Sequence, residues 1–196
     1  TLKDVLEKPK NPPNNFAVTG IYMYGPNVFF KVFDNIERSA RGEYEISDIH
    51  SRLLKDGRRV GYQEITGWWK DTGKAHDLVV ANQLLLDLLH EKPISHGVNI
   101  DSSAQVNGNV HIGIGTQVKQ NVKINGPVII GENCVLENCE IGPHVSLGQG
   151  TEVKGAKIEN SIVLDNATIN CEMHIADSML GKGIQLKKRH PDNSKQ

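Results

Sequence analysis

The 196-residue chain is poor in several things at once. It holds three cysteines, Cys134, Cys139 and Cys171, and no two of them form a CxxC pair. An odd set of thiols excludes a secreted-type disulfide framework and suits a reducing compartment, where cysteine serves as small apolar filler and a zinc site is not expected. Charge of either sign is not in excess: 22 Lys and Arg face 23 Asp and Glu, a formal −1. No basic face therefore announces nucleic acid or an anionic membrane. The longest apolar run, inside "LVVANQLLLDLL", is too short and too interrupted to span a bilayer, and no signal-peptide pattern opens the sequence. The expectation is a cytoplasmic protein with neither nucleic acid nor membrane as partner. The largest lack is local. Residues 92–196 contain no Phe, Tyr or Trp, whereas residues 1–91 hold all four Phe, all four Tyr and both Trp. A break that sharp reads as a domain boundary at Lys92-Pro93.

Residues 1–91 alternate strand and helix signals. "LKDVL" (2–6), "FAVTGIYMY" (16–24) and "RVGYQEIT" (59–66) are rich in β-branched and aromatic residues and read as strands, the second buried on both faces. Pro26 suits the first turn of a helix with Val28, Phe29, Val32 and Phe33 on its apolar side. Ser47 is placed to cap the helix "DIHSRLLKD", and Gly57 stands where a left-handed C-terminal residue is wanted. Leu78, Ala81, Leu85, Leu88 and Leu89 recur at helical spacing. This is part of an α/β domain, with too few strands for a doubly wound sheet.

The second half is a repeat. Ile94, Ile100, Val106, Ile112, Val118, Ile124, Ile130 and Leu136 fall six apart without a break. The phase then slips, and Ile141, Leu147, Val153, Ile158, Leu164, Ile169, Ile175, Leu180 and Leu186 continue the series. A period of six is neither helical nor a simple strand alternation. It fits a prism with one aliphatic side chain directed inward from each flat side, and Gly, Asn or Asp at the corners, where positive φ is tolerated. Stacked equivalent positions leave little room for rings, which accounts for the missing aromatics. Residues 92–186 resemble the left-handed parallel β-helix family. That resemblance implies prisms packed side by side as homo-oligomers, commonly trimers. Residues 187–196, "KKRHPDNSKQ", break the period and read as a tail.

Chemistry-bearing residues gather in the first half. Glu7-Lys8-Pro9 follows a short apolar run; a carboxylate accepts hydrogen bonds from sugar hydroxyls and an ammonium neutralises a phosphate, although the pair also suits a surface loop. Gly20, within an apolar run that includes Val18, marks a close backbone approach or a packing need. Arg41 suits a bidentate phosphate contact and Glu43 a sugar hydroxyl, while Glu45 and Asp48 read better as acids favouring a helix dipole. Asp71 follows the only two tryptophans, Trp68 and Trp69. Its carboxylate is a hard ligand suited to Mg²⁺, or else it caps the next helix in an Asx turn.

Three stretches in order, "VLEKPKNPPNNFAVTGIYMY", "RGEYEISD" and "GWWKDTGKAHDLVVANQLLL", resemble the second half of the sugar-1-phosphate nucleotidylyltransferases. The nearest likeness is to the glucose-1-phosphate thymidylyltransferases that carry a β-helix tail; uridylyl and guanylyl relatives share the motifs. The resemblance implies a sugar contact at Glu7, a phosphate contact at Lys8 with Arg41 beside it, and a backbone contact to the sugar near Val18 and Gly20. It further implies sugar-side walls at Trp68 and Trp69, and Asp71 as one of two aspartates holding Mg²⁺. Lys70 departs from the family, which commonly has an apolar residue there. The implied reaction is attack of a sugar-1-phosphate oxygen on the α-phosphorus of a nucleoside triphosphate, releasing pyrophosphate. A Gly-rich GGxGTRL-type loop and the second aspartate are absent, since "IGIGTQ" (112–117) belongs to the hexapeptide period. The chain is thus expected to be inactive alone, as a fragment or as a short relative. Two other readings stand beside this one. A β-helix acetyltransferase acting on amino sugars would use His111 or His144 as base. A purely structural oligomerisation module would need no chemistry at all.

Overall fold

The computed structural model describes residues 2–90, 94 and 96–188. It divides into two compact units between Trp69 and Lys70. The composition break at Lys92-Pro93 and the tail from residue 189 onward lie outside the described residues. The unit boundary falls earlier than that break because the helix at Ala75–Leu86 belongs with the second unit.

The first unit contains helices α1 (Val28–Phe33) and α2 (Ile46–Lys55). Val32, Ile49 and Leu53 form its buried cluster, with Tyr24, Phe29, Ile36 and Val60 packed around them. The three expected strands are not formed: no strand occurs among the described residues of this unit. The pleat-like alternation survives in burial, since Tyr22 and Tyr24 stack toward His50 while Ile21 and Met23 are 82% and 99% exposed. β-Branched composition makes a run fit a sheet, but a strand exists only when another backbone pairs with it. Ser47 is not a cap either. The helix starts at Ile46, Glu45 takes the N-cap position, and Ser47 is buried inside the first turn. Gly57 does close α2, at φ 69, with Arg58 N–H bonded to the Leu53 carbonyl and Gly57 N–H to that of Leu54. That pair of bonds is a Schellman stop.

The second unit opens with α3 (Ala75–Leu86) and continues as a parallel β-helix of the left-handed, hexapeptide-repeat kind. Its strands in chain order are β1 (Asn99–Ile100), β2 (Gln105–Asn107), β3 (Val110–Ile112), β4 (Gln117–Val118), β5 (Lys123–Asn125), β6 (Val128–Ile130), β7 (Val135–Glu137) and β8 (Glu140–Ile141). They continue as β9 (Val145–Leu147), β10 (Glu152–Lys154), β11 (Lys157–Glu159), β12 (Ser161–Val163), β13 (Thr168–Asn170), β14 (His174–Ala176), β15 (Met179–Leu180) and β16 (Gln185–Lys187). Every third strand joins the same sheet. One sheet has six strands, β1-β4-β7-β10-β13-β16, and the other two have five each.

Parallel register stacks like on like. Ile100, Val118, Leu136, Val153, Ile169 and Leu186 form one column, and Val106, Ile124, Ile141, Ile158 and Ile175 a second. The third column is Ile112, Ile130, Leu147, Val163 and Leu180. Leu164, assigned inward by the sequence period, is instead 37% exposed, and Val163 takes the core place at 1%. The series slips a residue there because corners differ in length, so counting by six overshoots. Cysteine behaves as filler. Cys134 and Cys139 are buried, and burial pushes the Cys139 thiol up to about 12. One corner column alternates glycine and asparagine. At Gly150 φ is +66, and a Cβ there would sit 2.5 Å from Asn166 Oδ1 of the next coil, so the Asn166 side chain would have to move.

Two threonines of one interior column differ in their bonding. Thr116 Oγ1 donates to the Gly131 carbonyl at 2.8 Å and accepts the Cys134 N–H at 3.0 Å. Thr151 Oγ1 is buried with no partner among the described residues. Thr116→Val is expected to lower stability by about 1 kcal/mol or more by stranding an amide, while Thr151→Val is expected to be neutral or stabilising. Denaturant titration of the two variants checks the difference.

Candidate functional site

The first unit builds a charge cluster around Arg41. Ser47 and Ser51 lie four residues apart on α2 and so share one face. Ser47 Oγ donates to Glu7 Oε2 at 3.1 Å, and Ser51 Oγ lies 2.9 Å from the Val5 carbonyl. Together they hold the Val5–Glu7 segment along the helix. Residues 39–43 form a tight loop, closed by Ser39 N–H to the Glu43 carbonyl at 2.8 Å, with Gly42 at φ 79. The loop delivers the Arg41 guanidinium between carboxylates. Its Nε and Nη2 donate to Glu45 Oε1 at 3.2 and 2.8 Å, and Nη2 also reaches Glu7 Oε1 at 3.2 Å. Glu43 Oε2 stands 3.6 Å away, and Lys8 Nζ is 3.8 Å from Glu7 Oε1.

These contacts set the electrostatics. The hydrogen bonds from Arg41 and from Ser39 hold the Glu45 carboxyl below the usual glutamate range, and the bond to Glu45 raises Arg41 further above its already high value. Glu45 is a nearly buried carboxylate, at 9% exposure, whereas Lys8 and Glu43 face solvent. A shallow shelf of this kind offers two cations, one preset in orientation and one free to swing, beside a carboxylate that can accept hydroxyls.

Glu7, Lys8, Arg41 and Glu43, singled out from sequence, are therefore brought together by the fold. Val18 is exposed and Gly20 adopts φ 80, so both keep accessible backbone, but neither is bonded into the cluster. Trp68 and Trp69 are both half exposed at the end of this unit. Sequence reasoning missed three members. Ser39 and Ser47 act as anchors, and Glu45, read as a dipole acid, instead grips Arg41. The signal available was the Arg41/Glu45 spacing of four together with the Ser47/Ser51 pair.

Asp71 belongs to the second unit and is exposed. It does not cap α3, whose N-cap position is Lys74 and whose first-turn acid, Asp77, accepts the Lys74 N–H at 3.1 Å. The unusual Lys70 is explained by the same acid, since its Nζ meets Asp77 at 2.6 Å and holds that carboxyl below its usual range. Asp71 is thus left without a structural duty among the described residues. Those residues contain no group of three or more His, Cys, Asp or Glu arranged to hold a metal ion. A single hard carboxylate fits Mg²⁺ nonetheless, because that ion keeps several waters and takes phosphate oxygens with one or two carboxylates.

Two solenoid histidines are tied to the turn after α3, while His174 pairs with Glu159 of the solenoid itself. His144 Nε2 donates to Asp87 Oδ1 at 2.7 Å, and His111 Nε2 donates to the His90 carbonyl at 2.8 Å. Ser146 Oγ donates to Asn82 Oδ1 at 2.6 Å, and Asn109 Nδ2 to the Leu89 carbonyl at 3.0 Å. Four strand or corner residues thus clamp one helix onto the face that carries β9 and β12. The helix buries Val79 and Leu86, not the Leu78/Leu85/Leu88 stripe that the periodicity favoured, and Asn82 on the inward side meets Ser146. No helix of the described residues is long and apolar enough to cross a membrane.

Residues 1–87 match the family described as Nucleotidyl transferase, and residues 124–190 match the GMPPB C-terminal domain. The chain is 36% identical over 186 residues to the low-salt glycan biosynthesis nucleotidyltransferase Agl11 of Haloferax volcanii, covering 94% of the chain and 51% of that protein. It is 34% identical over 180 residues to a glucose-1-phosphate thymidylyltransferase of Streptomyces griseus, covering 92% and 49%. To the bifunctional sugar-1-phosphate nucleotidylyltransferase/acetyltransferase of Sulfurisphaera tokodaii it is 29% identical over 189 residues, covering 94% and 46%. The chain spans about half the length of the curated relatives it matches.

Two outcomes follow from this geometry. A carboxyl with a depressed folded value stabilises above its unfolded value and loses that contribution as pH falls through the folded one. The first unit is therefore expected to melt at lower temperature as pH drops below the ordinary glutamate range, with Glu45→Gln removing part of that dependence. Tryptophan emission follows this unit alone, since both tryptophans lie in it. In the second unit, the double change His144→Ala with Ser146→Ala is expected to speed amide exchange in α3 at least tenfold while Ile141 stays protected. Equal exchange in α3 would show the clamp to be idle.

Proposed function

We propose, from the match of residues 1–87 to the nucleotidyl transferase family, that this protein supplies the sugar-phosphate side of a sugar-1-phosphate nucleotidylyltransferase, of the thymidylyl kind. The observation that carries the reading is the convergence of the adjacent Glu7 and Lys8 with Arg41, more than thirty residues later in sequence, into one ion-paired cluster. In this reading Lys8 and Arg41 neutralise the sugar phosphate, and Glu7 and Glu43 accept sugar hydroxyls. The backbone near Val18 and Gly20 and the rings of Trp68 and Trp69 shape the sugar side. An oxygen of the sugar phosphate forms a bond to the α-phosphorus of the triphosphate as the bond to pyrophosphate breaks, giving a nucleoside diphosphate sugar. The protein's share is orientation and charge neutralisation, with little covalent work. Asp71 would hold Mg²⁺ together with phosphate oxygens and water, and the ion when bound neutralises charge on the phosphates.

These 196 residues include no glycine-rich loop outside the hexapeptide series to cradle a triphosphate. We therefore assign to this chain sugar-phosphate binding without turnover. The β-helix serves assembly as a homo-oligomer, a trimer as its resemblance to the left-handed β-helix family implies.

A second reading is acetyl transfer to an amino sugar at the β-helix. It is favoured by the His144–Asp87 pairing at 2.7 Å, in which a carboxylate orients an imidazole and leaves Nδ1 to take a proton, and by the second activity in the name of the Sulfurisphaera tokodaii relative. Thiol release from acetyl-CoA with amino-sugar phosphates would establish it, and none would end it.

For the main reading, titration calorimetry with glucose 1-phosphate is expected to show binding that Lys8→Ala and Arg41→Ala each weaken roughly 10- to 100-fold, as loss of a charge-assisted contact does. No binding by the unaltered chain, or binding indifferent to both changes, would overturn it. Incubation with deoxythymidine triphosphate, glucose 1-phosphate and Mg²⁺ is expected to release no pyrophosphate.

A further inference from the structure

We propose that Glu45 is a positioning residue that fixes Arg41 from beneath and so presets the guanidinium for a phosphate monoester. The inference rests on the sugar-phosphate reading of this cluster. Three carboxylates surround Arg41, but they are not equivalent. Glu7 and Glu43 are solvent-accessible and can exchange their contact for another, whereas Glu45 is nearly buried and takes two of the five guanidinium N–H groups on one oxygen. Ser39 Oγ donates to that same oxygen at 2.8 Å, and its own segment is held by the closed 39–43 loop, so the carboxylate is fixed from two sides.

This geometry spends the Nε/Nη2 edge of the guanidinium on the protein. Among the described residues Nη1 has no hydrogen bond, and the side chain keeps 43% of its surface open. The open nitrogen is the one left for an incoming anion. A guanidinium held only by exposed carboxylates would lose rotamer freedom on binding, and that entropy would subtract from affinity. Glu45 removes most of that loss beforehand. Division of labour follows: the buried acid stays with Arg41 while Glu7, tethered by Ser47 through its other oxygen, is free to give up Arg41 and accept a sugar hydroxyl. Glu45 itself touches no substrate in this arrangement.

The test uses the full 196-residue chain with glucose 1-phosphate as probe, and reads two quantities. The first is affinity by calorimetry. The second is the Arg41 Nε–H resonance in a nitrogen-15 spectrum, which is visible at neutral pH only when that proton is shielded from exchange. Glu45→Gln is expected to weaken binding roughly tenfold and to abolish the resonance, and Glu45→Asp to restore part of both. Asp56→Asn, which breaks only the exposed Arg52–Asp56 pair of α2 at 3.0 Å, is the control and should change neither. Should Glu45→Gln fail to fold by circular dichroism, Ser39→Ala is the substitute, with a smaller change in the same direction expected. Undiminished affinity or an unaltered resonance in the folded variant would overturn the positioning role and leave the sugar-phosphate reading intact. Absence of binding by the unaltered chain would take down both.

Discussion

Stacking in register is the constraint on which the second unit rests. Each coil offers its backbone N–H groups to the carbonyls of the next, so every inward side chain must lie against the same column position one turn on. Ile, Leu and Val accordingly fill the flat-side columns, while the other inward columns mix small residues such as Thr116, Cys134 and Ala156 with larger ones such as Val122 and Ile184. The same constraint reaches the outer surface. Corner residues at positive φ stack on one another either as glycine beside asparagine, at Gly150 and Asn166, or as paired asparagines, at Asn121 and Asn138. A solenoid of this type draws stability from nearest-neighbour terms, so local errors are felt by two coils and not by the whole.

The first unit depends on a different interaction. Its buried cluster is small, and several large apolar side chains remain open to solvent, with Ile21 and Met23 the extreme cases. What orders its polar side is the grip of Glu45, Ser39 and Ser47 on Arg41 and Glu7. Buried ion pairs contribute little net stability when desolvation is counted, but they do define a unique geometry when every lone pair is met. Here that geometry is also the candidate site, so order and function draw on the same few bonds.

Helix α3 connects two themes inside the second unit. Lys70 and Asp77 set its start, and His144, Ser146, His111 and Asn109 clamp its length and exit to the β-helix. Asp71 is four residues ahead of that clamped helix and free of capping duties. The β-helix thereby gives a rigid base to the segment that carries the candidate metal carboxylate, and the histidines that suggested acyl transfer have a packing role to fill.

Much of this was legible before any coordinates. The hexapeptide period named the solenoid because repetition survives averaging over many coils, and it predicted the three inner columns save at Ile94, which is 42% exposed and joins none of them, and where a short corner shifted Leu164 outward in favour of Val163. The motifs around Glu7 and Arg41 marked side chains that the fold does gather into one ion-paired cluster. Gly57 announced its stop because no other residue takes its φ so easily. What the sequence could not decide was partnership. Strand composition at 16–24 and 59–66 could not reveal that nothing among the described residues pairs with it, since pairing is a property of a second segment. Nor could the spacing of Leu78, Leu85 and Leu88 show which side of α3 faces the sheet, because that depends on the surface the helix packs against, where Val79 and Leu86 are the buried residues. Glu45 looked like any acid ahead of a helix, and only the folding of the 39–43 loop put Arg41 on top of it. Local pattern determines what a segment is able to form; which neighbour it meets, and therefore which polar groups become buried and directed, is decided by tertiary contact.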